Sequence, residues 1–345
     1  MIQYKTGNLL EANADALVNT VNSVGVMGKG IALQFKQAFP ENYDQYRQAC
    51  ERGEVQPGRM FVFATGNLMG PRFIINFPTK RHWKGKSQIE DVDGGLDALV
   101  EVIRTNRIRS IAVPPLGCGN GGLDWRVVRP LIERKLSPLA NVEVLVYEPT
   151  GAPANRDMRI ATKEPNMTRG RAALLGIFSK YLIPGYELTM LEIQKLAYFL
   201  QEAGEPLRLQ FVKEKYGPYA ETLHHVLQRI EGHFIRGYGD RSRDASVQVV
   251  PEAVDRAVQV LEADYPDTLE RADRVAALIE GFETPFGLEL LSTVHWVLKE
   301  TSSTRRSLPE TISQVHSWNQ RKAEIFTPAQ IELAWRQLKQ KGWAQ

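Results

Sequence analysis

The stretch Asn19-Thr-Val-Asn22-Ser-Val-Gly25-Val26-Met27-Gly28-Lys29-Gly30-Ile31-Ala32 limits most sharply what this chain can fold into. Before it lies Ala14-Asp-Ala-Leu-Val-Asn19, a short apolar run of the kind buried in a parallel sheet. After it, Ile31 to Phe39 carries apolar residues at helical spacing. The order is strand, glycine-rich loop, helix. Glycines there let backbone approach a ligand, and the free N–H groups of a helix start favour phosphate or pyrophosphate. Two common phosphate loops do not fit. A P-loop needs four residues between its first glycine and Gly-Lys, followed by Ser or Thr. Here only Val26 and Met27 intervene, and Gly30 follows. The dinucleotide order G-x-G-x-x-G is also absent, because this loop reads G-x-x-G-x-G.

A second loop repeats the design. Leu116-Gly117-Cys118-Gly119-Asn120-Gly121-Gly122-Leu123 follows the strand-like Ser110-Ile-Ala-Val-Pro-Pro115 and leads to Asp124, a suitable helix cap. Either loop alone is as readily a turn with no ligand. Two at the carboxyl ends of strands predict a crevice that grips one elongated phosphate ligand from both sides.

These loops, with Gly7-Asn8-Leu9-Leu10, the Asn19/Asn22 pair and Val144-Leu-Val-Tyr147-Glu148-Pro149, resemble the macrodomain family. The resemblance covers roughly residues 1 to 149. It implies a three-layer α/β/α fold with a mixed sheet and a site for ADP-ribose. It places Asn8 and Leu9 at the adenine, Asn22 at the distal ribose, both loops around the diphosphate, and the strand ending at Tyr147 and Glu148 beside the pocket. Many members carry aspartate where Asn8 stands. An amide oxygen still accepts from the adenine amino group, without charge assistance, so an altered adenine contact is expected.

Between the loops, Phe77-Pro-Thr-Lys80-Arg81-His82-Trp83-Lys84 gathers cations beside an aromatic side chain. From the residues alone three roles stay open. It is a solvated basic loop, or a nucleic-acid contact with Arg81 and Lys84 on phosphates and Trp83 under a base, or a reactive lysine. A lysine becomes nucleophilic when burial or neighbouring cations lower its pKa from about 10.4. A neutral Lys80 amine would attack the anomeric carbon of a distal ribose.

This segment and the second loop most resemble the DarG antitoxins of DarT–DarG toxin–antitoxin pairs. That resemblance implies hydrolytic removal of ADP-ribose from thymidine bases in single-stranded DNA. Lys80 would be the catalytic residue, and Arg81, His82, Trp83 and Lys84 the DNA contacts. The related terminal ADP-ribose glycohydrolases add an aspartate in the second loop. Gly121 occupies that place here, which leaves the proton-transfer step unassigned among water, Glu148 and a DNA phosphate. Asp124, nearby, is expected to cap the next helix. Lys80 separates an enzyme from a non-catalytic ADP-ribose reader, and the basic loop favours DNA over protein-linked ADP-ribose.

At 345 residues the chain has room for two cores. The expected division is 1–152, a linker at 153–168, and 169–345. Residues 1–164 hold 21 basic and 17 acidic side chains, and the remainder 22 and 23. The second half reads as mainly helical, with seven amphipathic helices between Leu174 and Lys341 and short strands at Leu209–Glu214 and Ser246–Val250. Its Leu191-Glu-Ile-Gln-Lys-Leu run and Lys215-Tyr-Gly-Pro-Tyr219 turn resemble antitoxin-associated helical domains of the Panacea/SocA type, which implies binding of a DarT-like toxin. Nine acids against three arginines from Glu252 to Glu283 are either a solvated face or an imitation of DNA phosphates that occupies the toxin's DNA groove.

No metal or cofactor is implied. Cys50 and Cys118 lack zinc spacing, and the adjacent His224 and His225 cannot share a helix face. Two unrelated cysteines, no secretory leader and no membrane-length apolar run predict a cytoplasmic protein without membrane contact.

Overall fold

Alternation of apolar residues decides the layers of the first half. The computed structural model describes residues 1–67, 70–150, 159–183, 185–238, 246–300 and 307–344. These residues form two compact units, Met1–Lys163 and Glu164–Gln345.

In the first unit, strands β1 (Ile2–Lys5), β2 (Ala16–Asn22), β3 (Phe61–Ala64), β4 (Phe73–Lys80), β5 (Ser110–Val113) and β6 (Glu143–Tyr147) form one sheet. Its order is β1-β6-β5-β2-β4-β3. Every pairing is parallel except that of β3 with β4. One sheet face presents Ala16, Val18, Ile75, Phe77, Ile111, Val113, Val144 and Val146 to α3 (Ile89–Thr105) and α4 (Trp125–Leu136). The alternate residues Leu17, Ile74, Ala112 and Leu145 face α1 (Gly30–Ala38). Helix α2 (Pro40–Glu51), with proline in its first turn, completes that layer. This is the three-layer mixed-sheet fold expected.

Because five strands are parallel, their carboxyl ends share one edge. Asn8 follows β1, the first loop follows β2, Lys80 ends β4, the second loop follows β5, and Tyr147 ends β6. The sheet therefore collects segments far apart in sequence.

Strand bounds differ from expectation in two informative places. β2 runs to Asn22, so that residue closes a strand and does not belong to the loop. β4 continues through Pro78 to Lys80. Its pairing with β3 ends at Asn76, so the N–H that proline lacks is not needed on that side. β3 and β4 form an antiparallel hairpin, although 68–69 of its turn lie outside the described residues. Of the expected linker, 153–158 also lie outside them; 159–168 carry neither helix nor strand, and the Ala161 N–H donates to the Gln37 carbonyl at 2.8 Å.

The second unit is largely helical: α5 (Arg169–Tyr181), α6 (Met190–Glu202), α7 (Leu223–Ile230), α8 (Pro251–Asp264), α9 (Pro266–Ile279), α10 (Pro285–Glu300), α11 (Leu308–His316), α12 (Gln320–Ile325) and α13 (Pro328–Gln340). The short α11 and α12 were not expected, since they hold few turns of periodic pattern. Strands are minor: β7 (Leu188–Thr189), β10 (Ile235–Arg236) and β11 (Ser246–Val249) form one sheet, and β8 (Val212–Glu214) pairs with β9 (Gly217–Tyr219).

The two motifs of this half bind each other. Gln194 exchanges two hydrogen bonds with the Ala220 backbone (3.0 and 2.9 Å), and buried Lys195 donates to the Pro218 carbonyl at 2.6 Å. Gly217 has φ +95°, and a β-carbon there would lie 3.3 Å from the Lys195 ammonium. The motifs thus pack the core. His224 is buried and bonded to Tyr219 and Tyr238, a core histidine and not a metal ligand. Among the described residues no helix is long and apolar enough to cross a membrane.

Candidate active site

The first loop begins where Asn22 pairs with Lys80 across β2 and β4. Asn22 shapes the loop from inside. Its Oδ1 accepts from the N–H groups of Val24 (3.0 Å) and Val26 (3.3 Å), and its Nδ2 donates to the Val26 carbonyl at 2.5 Å. The Tyr46 hydroxyl donates to the Asn22 carbonyl from α2. Expected at the distal ribose, Asn22 has its amide turned into the loop. Asn19, expected among the ADP-ribose contacts, is fully buried, and its Nδ2 donates to Asn76 at 3.0 Å inside the sheet.

Gly25 also differs from the expected role at the helix mouth. It has φ +76°, and a β-carbon there would lie 3.3 Å from Arg47 and 3.5 Å from Cys50, so it packs on α2. The residues that do reach the helix start are Gly28, Lys29, Gly30 and Ile31. Lys29 is the N-cap of α1 and provides no side-chain cap. Among the described residues, the N–H groups of Met27, Gly28 and Lys29 have no acceptor, and those of Gly30, Ile31 and Ala32 are the helix's own unpaired first donors. Six consecutive N–H groups without an acceptor at a helix start have the chemistry of an anion site. Met27 itself is buried and exposed Val26 lies over the loop, so the contribution of this segment is its backbone.

The second loop offers the same chemistry. The N–H of Cys118 is taken by Pro115, that of Gly122 by Gly119 and that of Leu123 by Gly117. Those of Gly119, Asn120 and Gly121 have no acceptor among the described residues. Gly117 and Gly122 adopt φ +73° and +78°, the left-handed turns that aim these donors outward. Leu116 anchors the loop in the core. Burial pushes the Cys118 thiol up to about 11, so it stays protonated at neutral pH and fills space. Asp124 accepts from the Arg126 N–H at 2.9 Å, the helix cap expected of it.

Lys80 lies where the loops meet. Its Nζ donates to the Asn120 carbonyl. On the facing side, a β-carbon at Gly30 (φ +54°) would approach the Asn120 Nδ2 to 3.0 Å. Burial lowers the Lys80 pKa, and no carboxylate opposes that effect. The site therefore presents a lysine whose proton is easier to lose, between two rows of N–H groups that have no acceptor among the described residues.

Beyond Lys80 the chain is exposed from Arg81 to Lys86. His82 and Trp83 stack with centroids 5.6 Å apart, and the Lys84 ammonium lies 4.9 Å from the Trp83 ring. Trp83 is 47% exposed. Arg81 pairs with Asp91 at 3.0 Å, which leaves Lys84 the freer cation.

At the opposite end, Asn8 caps the turn Leu9–Glu11. Its Oδ1 accepts from the Leu10 N–H at 3.1 Å and its Nδ2 donates to Glu11 at 2.8 Å. Leu9 is buried in the core, so only its backbone is available to an adenine. Burial, with Glu11 nearby, raises the Tyr147 pKa. Glu148 pairs with Arg129 at 3.9 Å. Sequence reasoning missed Ser87, whose N–H donates to the Gly121 carbonyl at 3.0 Å; a lone serine ahead of a helix gives no signal. Among the described residues no cluster of His, Cys, Asp or Glu could hold a metal ion.

The Macro domain family model matches residues 18–132. A Thermus aquaticus protein named DNA ADP-ribosyl glycohydrolase is 51% identical over 342 residues, spanning 99% of this chain and 94% of that protein. A Mycobacterium tuberculosis protein of the same name is 43% identical over 353 residues, spanning 97% and 98%. Among solved structures, the macrodomain of Mycobacterium tuberculosis DarG is 55% identical, covers 44% of this chain and 99% of its own, and has a TM-score of 0.43. Matched along nearly its whole length, the chain belongs to the DNA ADP-ribosyl glycohydrolase (DarG) family, with a Macro domain as its first unit.

Proposed function

We propose that the first unit hydrolyses ADP-ribose from thymidine bases of single-stranded DNA, with Lys80 as the catalytic residue. The observation that carries this reading is the Lys80 amine, with a pKa lowered by burial, bonded to the Asn120 carbonyl between two donor-rich loops. The diphosphate lies against the N–H rows of 27–32 and 119–121, the adenine beside Asn8 and Leu9, and the distal ribose at Lys80. The neutral amine attacks the anomeric carbon. The bond from that carbon to the base nitrogen breaks, and the base takes a proton. Water then cleaves the sugar–lysine bond, releasing ADP-ribose and restoring the amine.

Exposed Trp83, stacked on His82, supplies a surface for a neighbouring base, and Lys84 a phosphate contact; these favour a nucleic-acid carrier over a protein one. The second unit sequesters the cognate toxin. All nine acids between Glu252 and Glu283 are exposed. Asp267 pairs with Arg169 and Arg271, Asp273 with Lys180, and Glu280 with Lys341. Glu252, Asp255, Glu262, Asp264 and Glu270 form no ion pair among the described residues, which favours an acidic contact with a basic DNA groove. Two unpaired thiols suit a reducing cytoplasm.

The test compares wild type with Lys80→Ala on a thymidine-ADP-ribosylated single-stranded oligonucleotide, with ADP-ribose binding measured in parallel. Release by the wild type only, with binding by both, is expected. Binding by both with release by neither would make the first unit a reader of ADP-ribose.

A further inference from the structure

Segment 80–87 stands on the second loop with both ends. Its first residue, Lys80, donates its Nζ to the Asn120 carbonyl. Its last, Ser87, donates its N–H to the next carbonyl, that of Gly121, at 3.0 Å. Between these two feet lie the exposed residues 81–86 with the His82–Trp83 stack. Neither foot is free to drift. Lys80 is paired in β4, and its carbonyl accepts from the Ser23 N–H at 3.1 Å. Ser87 leads directly into α3.

The Ser87 hydroxyl is the unusual group. The residue is 7% exposed, and among the described residues its Oγ has no hydrogen-bond partner. An unpaired buried hydroxyl is unfavourable; alanine would avoid that cost but remove the oxygen. The hydroxyl is wedged under the loop's glycines. A β-carbon at Gly121 would collide with the Ser87 Oγ and the Gly117 carbonyl, and one at Gly117 would lie 3.1 Å from the Ser87 Cβ. A small displacement of either the strap or the loop therefore moves the other, because no slack lies between them.

We propose that segment 80–87 is a strap coupling nucleic-acid engagement to hydrolysis, with Ser87 as its positioning residue. A base on Trp83 and a phosphate on Lys84 load the strap. The Ser87 Oγ wedged under Gly117 and Gly121, with the Lys80–Asn120 bond, passes that load to the donors of 119–121 and to the Lys80 amine. ADP-ribose on a lone nucleoside fills the cleft without loading the strap. The enzyme thereby distinguishes a modified strand from a small conjugate in turnover and not merely in affinity. This inference rests on the hydrolytic reading above.

The experiment uses the full chain and two substrates: a thymidine-ADP-ribosylated single-stranded oligonucleotide, and ADP-ribosylated thymidine nucleoside. Wild type should turn over the oligonucleotide at least about tenfold faster in kcat. Ser87→Ala should bring the two kcat values within about twofold by slowing the oligonucleotide, with KM and ADP-ribose affinity little changed. Adding Trp83→Ala to Ser87→Ala should lower kcat no further, the non-additivity expected of one coupled unit. A variant that slows both substrates equally, with the ratio kept, would overturn the proposal and leave Ser87 a structural residue. Should Ser87→Ala fail to bind ADP-ribose, the exposed Trp83→Ala decides alone: a fall in kcat supports the strap, and a rise in KM only overturns it. Release from neither substrate by wild type would overturn the hydrolytic reading itself, a result distinct from an unchanged ratio.

Discussion

At the scale of single residues, the proposed chemistry rests on the electrostatics of Lys80. Its pKa is lowered by burial, and its hydrogen-bond partner is a neutral carbonyl. A carboxylate in that place would hold the proton on. The amine reacts when neutral, so kcat should rise with pH and level off below the ordinary lysine value of about 10.4. A kcat–pH profile that is flat from neutrality upward, or that falls, would remove Lys80 from the bond-breaking step. Lys80→Arg keeps the cation but cannot lose its proton, so release should fall at least about 100-fold while ADP-ribose still binds. The buried amides make a second residue-scale case. Asn76 accepts from Asn19 and donates to Asn42 at 2.7 Å beneath the first loop. Asn76→Ala strands both partners, and a loss of about 2–4 kcal/mol in urea unfolding is expected.

Elements decide which side chains are tolerated. The second loop closes on itself through the Leu123 N–H and the Gly117 carbonyl at 3.0 Å, and Gly121 sits inside that closure. The aspartate found there in related glycohydrolases has no room in this loop, since even a β-carbon collides with the Gly117 carbonyl. Gly121→Ala should therefore weaken ADP-ribose binding by at least about tenfold, read by calorimetry, because the donors of 119–121 must reorient. Binding within twofold of wild type would show that the loop relaxes without disturbing its donors. At this scale the sequence was readable for most elements: short apolar runs marked the strands and helical spacing the helices. It was less readable for β4, which continues through Pro78. Only the end of β3 at its Asn76 partner explains why the strand continues to Lys80.

For the whole molecule, charge buried in the second unit sets a pH dependence. Lys195 is buried at 2% exposure, and desolvation, with Lys322 nearby, pushes its pKa down to about 7. The unfolded chain binds that proton up to about pH 10.4, so between about 7 and 10.4 the unfolded state holds more protons and this group's contribution to stability rises with pH. The urea midpoint of wild type relative to Lys195→Met should accordingly rise from pH 7 to 9.5; a constant difference would mean that the ammonium stays charged in the fold. On the outer surface, reversing Glu252, Asp255, Glu262, Asp264 and Glu270 to lysine should abolish toxin binding in a pull-down and leave ADP-ribose release intact. Retained binding would end the phosphate-imitation idea. The sequence by itself determined the strand–loop–helix units and the glycine-rich loops, because each depends on local spacing and residue chemistry, whereas Lys80 as the reactive candidate came from the family resemblance. Only the tertiary structure decided that Asn19 faces inward, that Asn22 is spent on its own loop, that Gly121 cannot carry a side chain, and that Ser87 holds the strap. Those facts depend on which strands lie side by side and how closely two distant segments approach, and neither is written in a local pattern.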